Sequence, residues 1–190
     1  MSEAVLISIR PKWCQLIANG EKTVEVRKTR PRLDTPFKCY IYCTLPRYPH
    51  KDFLCTDYPK PQFYGGGKVI GEFTCDQIYE LEAENCPGGS YHAKGQDRDT
   101  TNMIARKSCL DLKDMHDYLR GKKGYAWHIS NFALYGTPKK LECFRKLCQE
   151  ELYCESCAMY SENADSCGNE ALRLHRAPQS WQYVEELNNG

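Results

Sequence analysis

Lys22, Glu25 and Arg27 fall within one six-residue run, Lys22-Thr-Val-Glu-Val-Arg27. Thr23, Glu25 and Arg27 alternate with Val24 and Val26, the period of a strand with one buried face. That period aims Glu25 and Arg27 the same way, over whatever Val24 and Val26 help to close. Lys22, at the turn entering the strand, reaches the same space. A lysine, a carboxylate and a guanidinium gathered in this way can hold an anionic or polar ligand. They can also move protons, and Lys22 and Glu25 are the candidate catalytic pair. Flanked by two cations, Glu25 suits an anchor for a ribose or a base edge better than a general base near neutral pH. The alternative is a solvated strand edge carrying an ordinary surface ion pair, which contributes little.

A second constellation lies near the C-terminus, where Cys148-x5-Cys154-x2-Cys157-x9-Cys167 places four of the chain's 12 cysteines within twenty residues. Four thiolates, two of them spaced Cys-x2-Cys, fit a tetrahedral zinc site. Four protein ligands close the shell, so the zinc would be structural. Cys143 and His175 are possible substitute ligands. The surroundings are polar and acidic, too poor in apolar groups to fold unaided, and residues 143–170 read as a zinc-binding insertion. The alternative is a solvated insertion with free thiols.

The elements that must position these residues form an α+β pattern rich in strands. Strands are expected at Val5–Ile9, Val24–Arg27, Cys39–Thr44, Val69–Leu81, Ala126–Leu134 and Trp181–Leu187. Helices are expected at Lys12–Asn19, Leu112–Arg120 and, shorter, Asn102–Lys107. Pro11 suits a first helical turn, and Asn19-Gly20 stops that helix. Leu45 to Gly67 and Asn85 to Thr100 read as long loops. Short strands with two or three flanking helices favour a small β-barrel over a parallel sheet, in a single domain spanning 1–190.

The chain has 190 residues, 41% of them hydrophobic, enough for a core. No apolar run reaches the length of a membrane span, and Met1-Ser-Glu is no secretory leader, so a cytoplasmic location is expected. A reducing compartment argues against disulfides, and Cys39, Cys43 and Cys75 read as small buried hydrophobes. The net charge of +1 conceals a gradient, because residues 1–60 hold 11 Lys/Arg against 6 Asp/Glu while residues 141–190 hold 4 against 9. The basic excess gathers in Lys22, Arg27, Lys28, Arg30, Arg32 and Lys38, which favours an anionic partner, nucleic acid first. Trp13, Tyr64 and Trp181 are candidates for stacking an unpaired base. His128 is a candidate ligand-binding or acid/base residue.

The run from Ile7 to Arg27, an apolar strand, Pro11, a helix and then Gly20-x-Lys22-Thr-x-Glu25-x-Arg27, resembles the opening of the ASCH domains, small barrels of the PUA-like superfamily. Gly67-Lys-Val-Ile-Gly-Glu-Phe-Thr-Cys75 and Gly124-Tyr-Ala-Trp-His-Ile-Ser130 continue the likeness less specifically. The cysteine-rich insertion followed by Pro178-Gln-Ser-Trp181 resembles prophage and bacterial members. The resemblance implies RNA or modified-nucleotide binding in a cleft lined by Lys22, Glu25 and Arg27. One branch of these proteins hydrolyses the acetyl amide of acetylated cytidine through a Lys, a Thr and a Glu. Lys22 matches the first, but Glu25 stands in place of the Thr, and the Glu position falls near Ser108-Cys109. The alternative to a binding module is an enzyme on the same cleft, an amidohydrolase on a modified nucleoside or a ribonuclease.

Overall fold

Pro11, Asp97 and Asp111 start the three helices. Helix α1 (Pro11–Ala18) carries its proline in the first turn, where no backbone N–H is needed. Helix α2 (Arg98–Ser108) and helix α3 (Leu112–Leu119) are each capped by an aspartate, Asp97 accepting from the Thr100 N–H at 2.7 Å and Asp111 from the Asp114 N–H at 2.6 Å. The computed structural model describes residues 2–45, 65–84, 90–148, 159–161 and 166–187.

The strands are β1 (Glu3–Ile9), β2 (Val24–Arg27), β3 (Phe37–Cys43), β4 (Lys68–Cys75), β5 (Ile78–Ala83), β6 (Tyr91–Ala93), β7 (Gly124–His128), β8 (Ser130–Lys139), β9 (Tyr160–Ser161), β10 (Ser166–Cys167) and β11 (Trp181–Glu185). Five of them form one sheet in the order β11-β1-β3-β4-β8, and four form a second in the order β2-β7-β5-β6. Strands β1 and β3 run parallel, and the other ladders are antiparallel. The short pair β9 and β10 makes a separate ribbon.

The runs 69–81 and 126–134, each expected as one strand, each divide and pass from one sheet to the other. The first breaks at Asp76-Gln77 and the second at Ile129, just before Asn131 at φ 49°. Both breaks lie at one corner, held by the Ser130 hydroxyl on the Thr74 carbonyl at 2.8 Å and by His128 Nδ1 against Asp76 Oδ1 at 2.7 Å. Alternation continues through such a bend, so the pattern does not mark it. Among the described residues no ladder closes the far edges. The expected barrel is therefore an open arrangement of two sheets, with three helices. The stretch expected as a loop over Asn85–Thr100 contains β6 and the start of α2, whose Asp97 cap extends the helix well before Asn102. Most of the Leu45–Gly67 loop lies outside the described residues.

Three apolar layers follow. Val5, Ile7 and Ile9 of β1 pack between the sheets with Cys14, Ile41, Phe73 and Trp127. Ala4 and Leu6, on the other face of the same strand, meet Tyr40, Leu141, Phe144 and Leu174. A strand buried on both sides reads as a continuous apolar run, as Ala4–Ile7 does. The third layer joins Val24, Val26, Leu81 and Ala126 to Ile104 of α2 and Met115 and Leu119 of α3. At the irregular β4–β8 pairing Gly71 is required by close approach, because a Cβ there would press on the Ala133 carbonyl and lie 3.2 Å from Leu134 Cα. Gly71→Ala will lower stability by roughly 1–3 kcal/mol, read from the midpoint of urea unfolding.

Candidate functional site

Lys22 is 2% exposed, an unusual place for a lysine unless its charge is met. Its Nζ donates to the Val24 carbonyl at 2.8 Å and the Ser108 carbonyl at 2.6 Å, and lies 3.2 Å from Glu25 Oε2. An ammonium has three N–H donors, and three acceptors are in place. The other carboxylate oxygen, Glu25 Oε1, lies 2.9 Å from Arg27 Nη2, which also donates to the Ser8 carbonyl at 2.6 Å. Arg27 Nη1 reaches the Ser180 hydroxyl at 3.4 Å, while its Nε is buried without a partner. Glu25 and Arg27 are each 7% exposed. The network is interior, and the reading of these residues as a solvated strand edge does not hold.

Strand β2 is thus buried on both faces, Val24 and Val26 toward the helices and Glu25 and Arg27 toward the inter-sheet layer. The register pairs Glu25 with Trp127 and Val24 with His128. Residues directly opposite in a ladder share a face, so His128 stands on the face away from Glu25 and Arg27. His128 instead pairs with Asp76 at the corner. There burial opposes ionisation of Asp76, but the His128 bond, backbone and Ser130 outweigh it and hold the carboxyl below its ordinary range.

Tyr118 of α3, 37% exposed, lies near enough to the network for Glu25 and Arg27 to act on its hydroxyl. Burial pushes the Tyr118 hydroxyl up, and Glu25 adds to that effect, while the guanidinium groups of Arg27 and Arg10 oppose it. Lys28 Nζ lies 5.1 Å over the Tyr118 ring, and Lys22 Nζ lies 5.1 Å from the Trp13 ring. Trp13 is therefore placed at the network. Trp181 is not a free platform, since it packs on Trp127 at 6.0 Å and Tyr183 at 5.4 Å and donates its indole N–H to the Thr29 hydroxyl at 3.0 Å. Lys38 leaves the basic group altogether, held between Glu72 at 3.4 Å and Glu186 at 3.0 Å. Tyr118, Arg10, Ser8 and Ser180 were not singled out by the sequence. Ser8 and Ser180 take part through a carbonyl and a hydroxyl that only tertiary pairing of distant segments brings to Arg27. For Tyr118, the aromatic position next to Leu119 at the end of an amphipathic helix reads equally as core.

In the segments flanking the network Arg10, Lys12, Lys28, Arg30 and Arg32 are exposed, with Lys28 over Tyr118 and Lys12 Nζ 4.7 Å from the Trp13 ring. Among the described residues none of the five forms an ion pair. A cavity of about 560 Å³ lies elsewhere, between Leu81 and Tyr91 of the four-stranded sheet, Thr101 and Ile104 of α2, and Met115 of α3. That is the helix face of the sheet, opposite to the one bearing Glu25 and Arg27, so the cavity is not a cleft of the ion network.

Tyr64, Cys154 and Cys157 lie outside the described residues. Cys148 and Cys167 are both half-buried, Cys143 and His175 are exposed, and Cys167 Sγ accepts the Asn169 N–H at 3.4 Å. Among the described residues no group of three or more His, Cys, Asp or Glu side chains is placed to hold a metal. No helix among them is long and apolar enough to cross a membrane.

By sequence, no protein-family model and no curated protein matches the chain. By structure, it is similar to ASCH proteins of Zymomonas mobilis. A serine-to-alanine variant of ZmASCH superposes with a TM-score of 0.55 at 18% identity, covering 96% of this chain and 89% of that one. The ASCH protein itself gives 0.50 at 17% identity, covering 96% and 88%. Likeness across nearly the full length of both chains, at such low identity, is likeness of fold: the chain has the fold of the ASCH proteins.

Proposed function

We propose that the protein binds RNA or a modified nucleotide beside Tyr118, with Lys22, Glu25 and Arg27 as the rigid floor of the site. The observation that carries this reading is the set of five exposed cations in the two segments that flank the buried network, residues 10–12 and 28–32. Among the described residues Arg10, Lys12, Lys28, Arg30 and Arg32 form no ion pair, and a phosphate backbone would neutralise them. Trp13 and Tyr118, each lying near a cation, provide aromatic surface for an unpaired base. The ASCH fold supports a nucleic-acid or nucleotide ligand. The reading favours binding over catalysis because Lys22 already meets three acceptors and both Glu25 oxygens are engaged by cations. A group that must take or give a proton needs a free position facing the substrate.

Titration of labelled single-stranded RNA at two salt concentrations tests it. Binding should weaken as salt rises, and Lys28→Ala with Arg30→Ala should reduce the slope of log K against log salt by about 0.7 for each phosphate that is no longer neutralised. Absent binding, or binding indifferent to salt, would overturn the assignment. Turnover of acetylated cytidine or cleavage of the RNA by the wild-type protein would replace it with the enzyme. We propose further that Cys148, Cys154, Cys157 and Cys167 hold one structural zinc ion apart from this site.

A further inference from the structure

Among the buried thiols that neither the proposed ligand site nor the zinc set uses, two are gathered on one residue of β1. Cys14 on α1 and Cys43 at the end of β3 are 0% and 1% exposed, and both belong to the layer between the sheets. Ile9 organises the two. It is the ladder partner of Cys43, and its carbonyl accepts the Thr44 N–H at 2.9 Å and the Cys14 thiol at 3.5 Å. The Cys14 thiol donates to the Ile9 carbonyl and the Cys43 thiol to the Thr44 carbonyl at 3.8 Å; the neighbouring Cys14 side chain holds the Cys43 thiol below its ordinary range against burial, while burial pushes the Cys14 thiol up. Glu25 and Arg27 act electrostatically on Cys14.

The other buried thiols show what this arrangement adds. Cys39 and Cys75 lie on adjacent strands but are offset, Cys39 facing Phe73 and Cys75 facing Phe37. Such diagonal positions stand about 7–8 Å apart, beyond the roughly 3.5–4.5 Å between Cβ atoms that a disulfide requires. Burial pushes both of those thiols up, Cys75 to about 12, as it does Cys14; of these four buried thiols only Cys43 is held below its ordinary range.

We infer that Cys14 and Cys43 are a redox modification site that closes to an intramolecular disulfide on exposure to a hydroperoxide, tying α1 to β3. The Cys43 thiolate attacks a peroxide oxygen, giving the sulfenic acid and releasing water or an alcohol. The Cys14 sulfur then attacks the sulfenic sulfur, its proton leaving with the hydroxyl as a second water. Two thiols and one hydroperoxide thus become one disulfide, one alcohol (or water) and one water. Since α1 also carries Trp13, the bridge fixes one wall of the proposed site, although its formation does not depend on what that site binds.

The experiment is peroxide treatment of the folded, reduced protein, followed by intact mass and peptide mapping. The expected product is monomeric, lighter by two hydrogens, and contains a Cys14–Cys43 cross-linked peptide that dithiothreitol releases. Closure of a loop of about 30 residues should raise Tm by roughly 5–10 °C. Cys14→Ser and Cys43→Ser should each abolish the cross-link, and Cys75→Ser should leave it intact. Mapping on the wild-type chain stands even if a serine variant folds poorly. Oxidation confined to other cysteines, or a Cys14–Cys43 bridge that forms only in denaturant, would overturn the inference.

Discussion

Glu25→Ala will lower the unfolding free energy by about 3–5 kcal/mol, more than any surface substitution in the chain. Removing the carboxylate leaves the Lys22 ammonium and the Arg27 guanidinium as two buried like charges, whose counter-charge had stood at 3.2 Å and 2.9 Å. Neither side chain is exposed enough to be rescued by water, at 2% and 7%. The carbonyls of Val24, Ser8 and Ser108 would still accept hydrogen bonds, but they carry no charge to set against the two cations. Glu25→Gln should cost less, because one amide oxygen continues to accept while the amide N–H₂ faces a cation. Urea unfolding monitored by tryptophan fluorescence reads both. A loss below about 1 kcal/mol for the alanine variant would mean that solvent reaches the network, as at an ordinary surface pair.

That prediction separates what the sequence made legible from what it did not. Strand β2 is found over Val24–Arg27 as alternation predicts, and Lys22 does share the space of Glu25 and Arg27. Their burial was hidden, because period-2 alternation assigns charged residues to the wet face unless another layer covers it. Here the cover comes from Ser8, Ser180 and Tyr118, which lie far from β2 in sequence. The corner at Asp76 and Ile129 was hidden for a related reason. Apolar alternation reports which face is covered, not which sheet supplies the partner, and both long runs keep alternating while they change sheets. Lys38 shows a third limit: its cationic type placed it in the basic group, whereas its pairing with Glu72 and Glu186 depends on β4 and on the chain after β11. The cations that do remain exposed, Lys28, Arg30 and Arg32, sit in the turn leaving β2, where no ladder constrains them.

The zinc proposal predicts the other large effect. The base of the cysteine-rich segment is already fastened. The Leu174 N–H donates to the Phe144 carbonyl at 3.0 Å, Lys146 N–H to the Leu172 carbonyl at 2.8 Å, and Arg145 Nη2 to the Asn169 carbonyl at 2.6 Å. Cys148 and Cys167 leave this fastened base within a few residues of it on either side. The Asn169 N–H donates to Cys167 Sγ at 3.4 Å, the kind of bond that stabilises a thiolate ligand and fixes its direction. Cys154 and Cys157 would complete four ligands by their spacing alone. The intervening chain is polar and acidic and has little apolar surface to offset its ordering entropy. Metal ligation would supply that free energy, on the order of 10 kcal/mol in small zinc modules. Metal analysis of protein never exposed to chelator should therefore give one zinc per chain. Cys157→Ser should release it, lower Tm and expose the chain near residue 150 to protease. Salt-dependent RNA binding should persist in that variant, because the basic segments lie on other elements. Zinc content near zero, with the Cys148 and Cys167 thiols freely titratable in folded protein, would reduce the segment to a loop held only at its base.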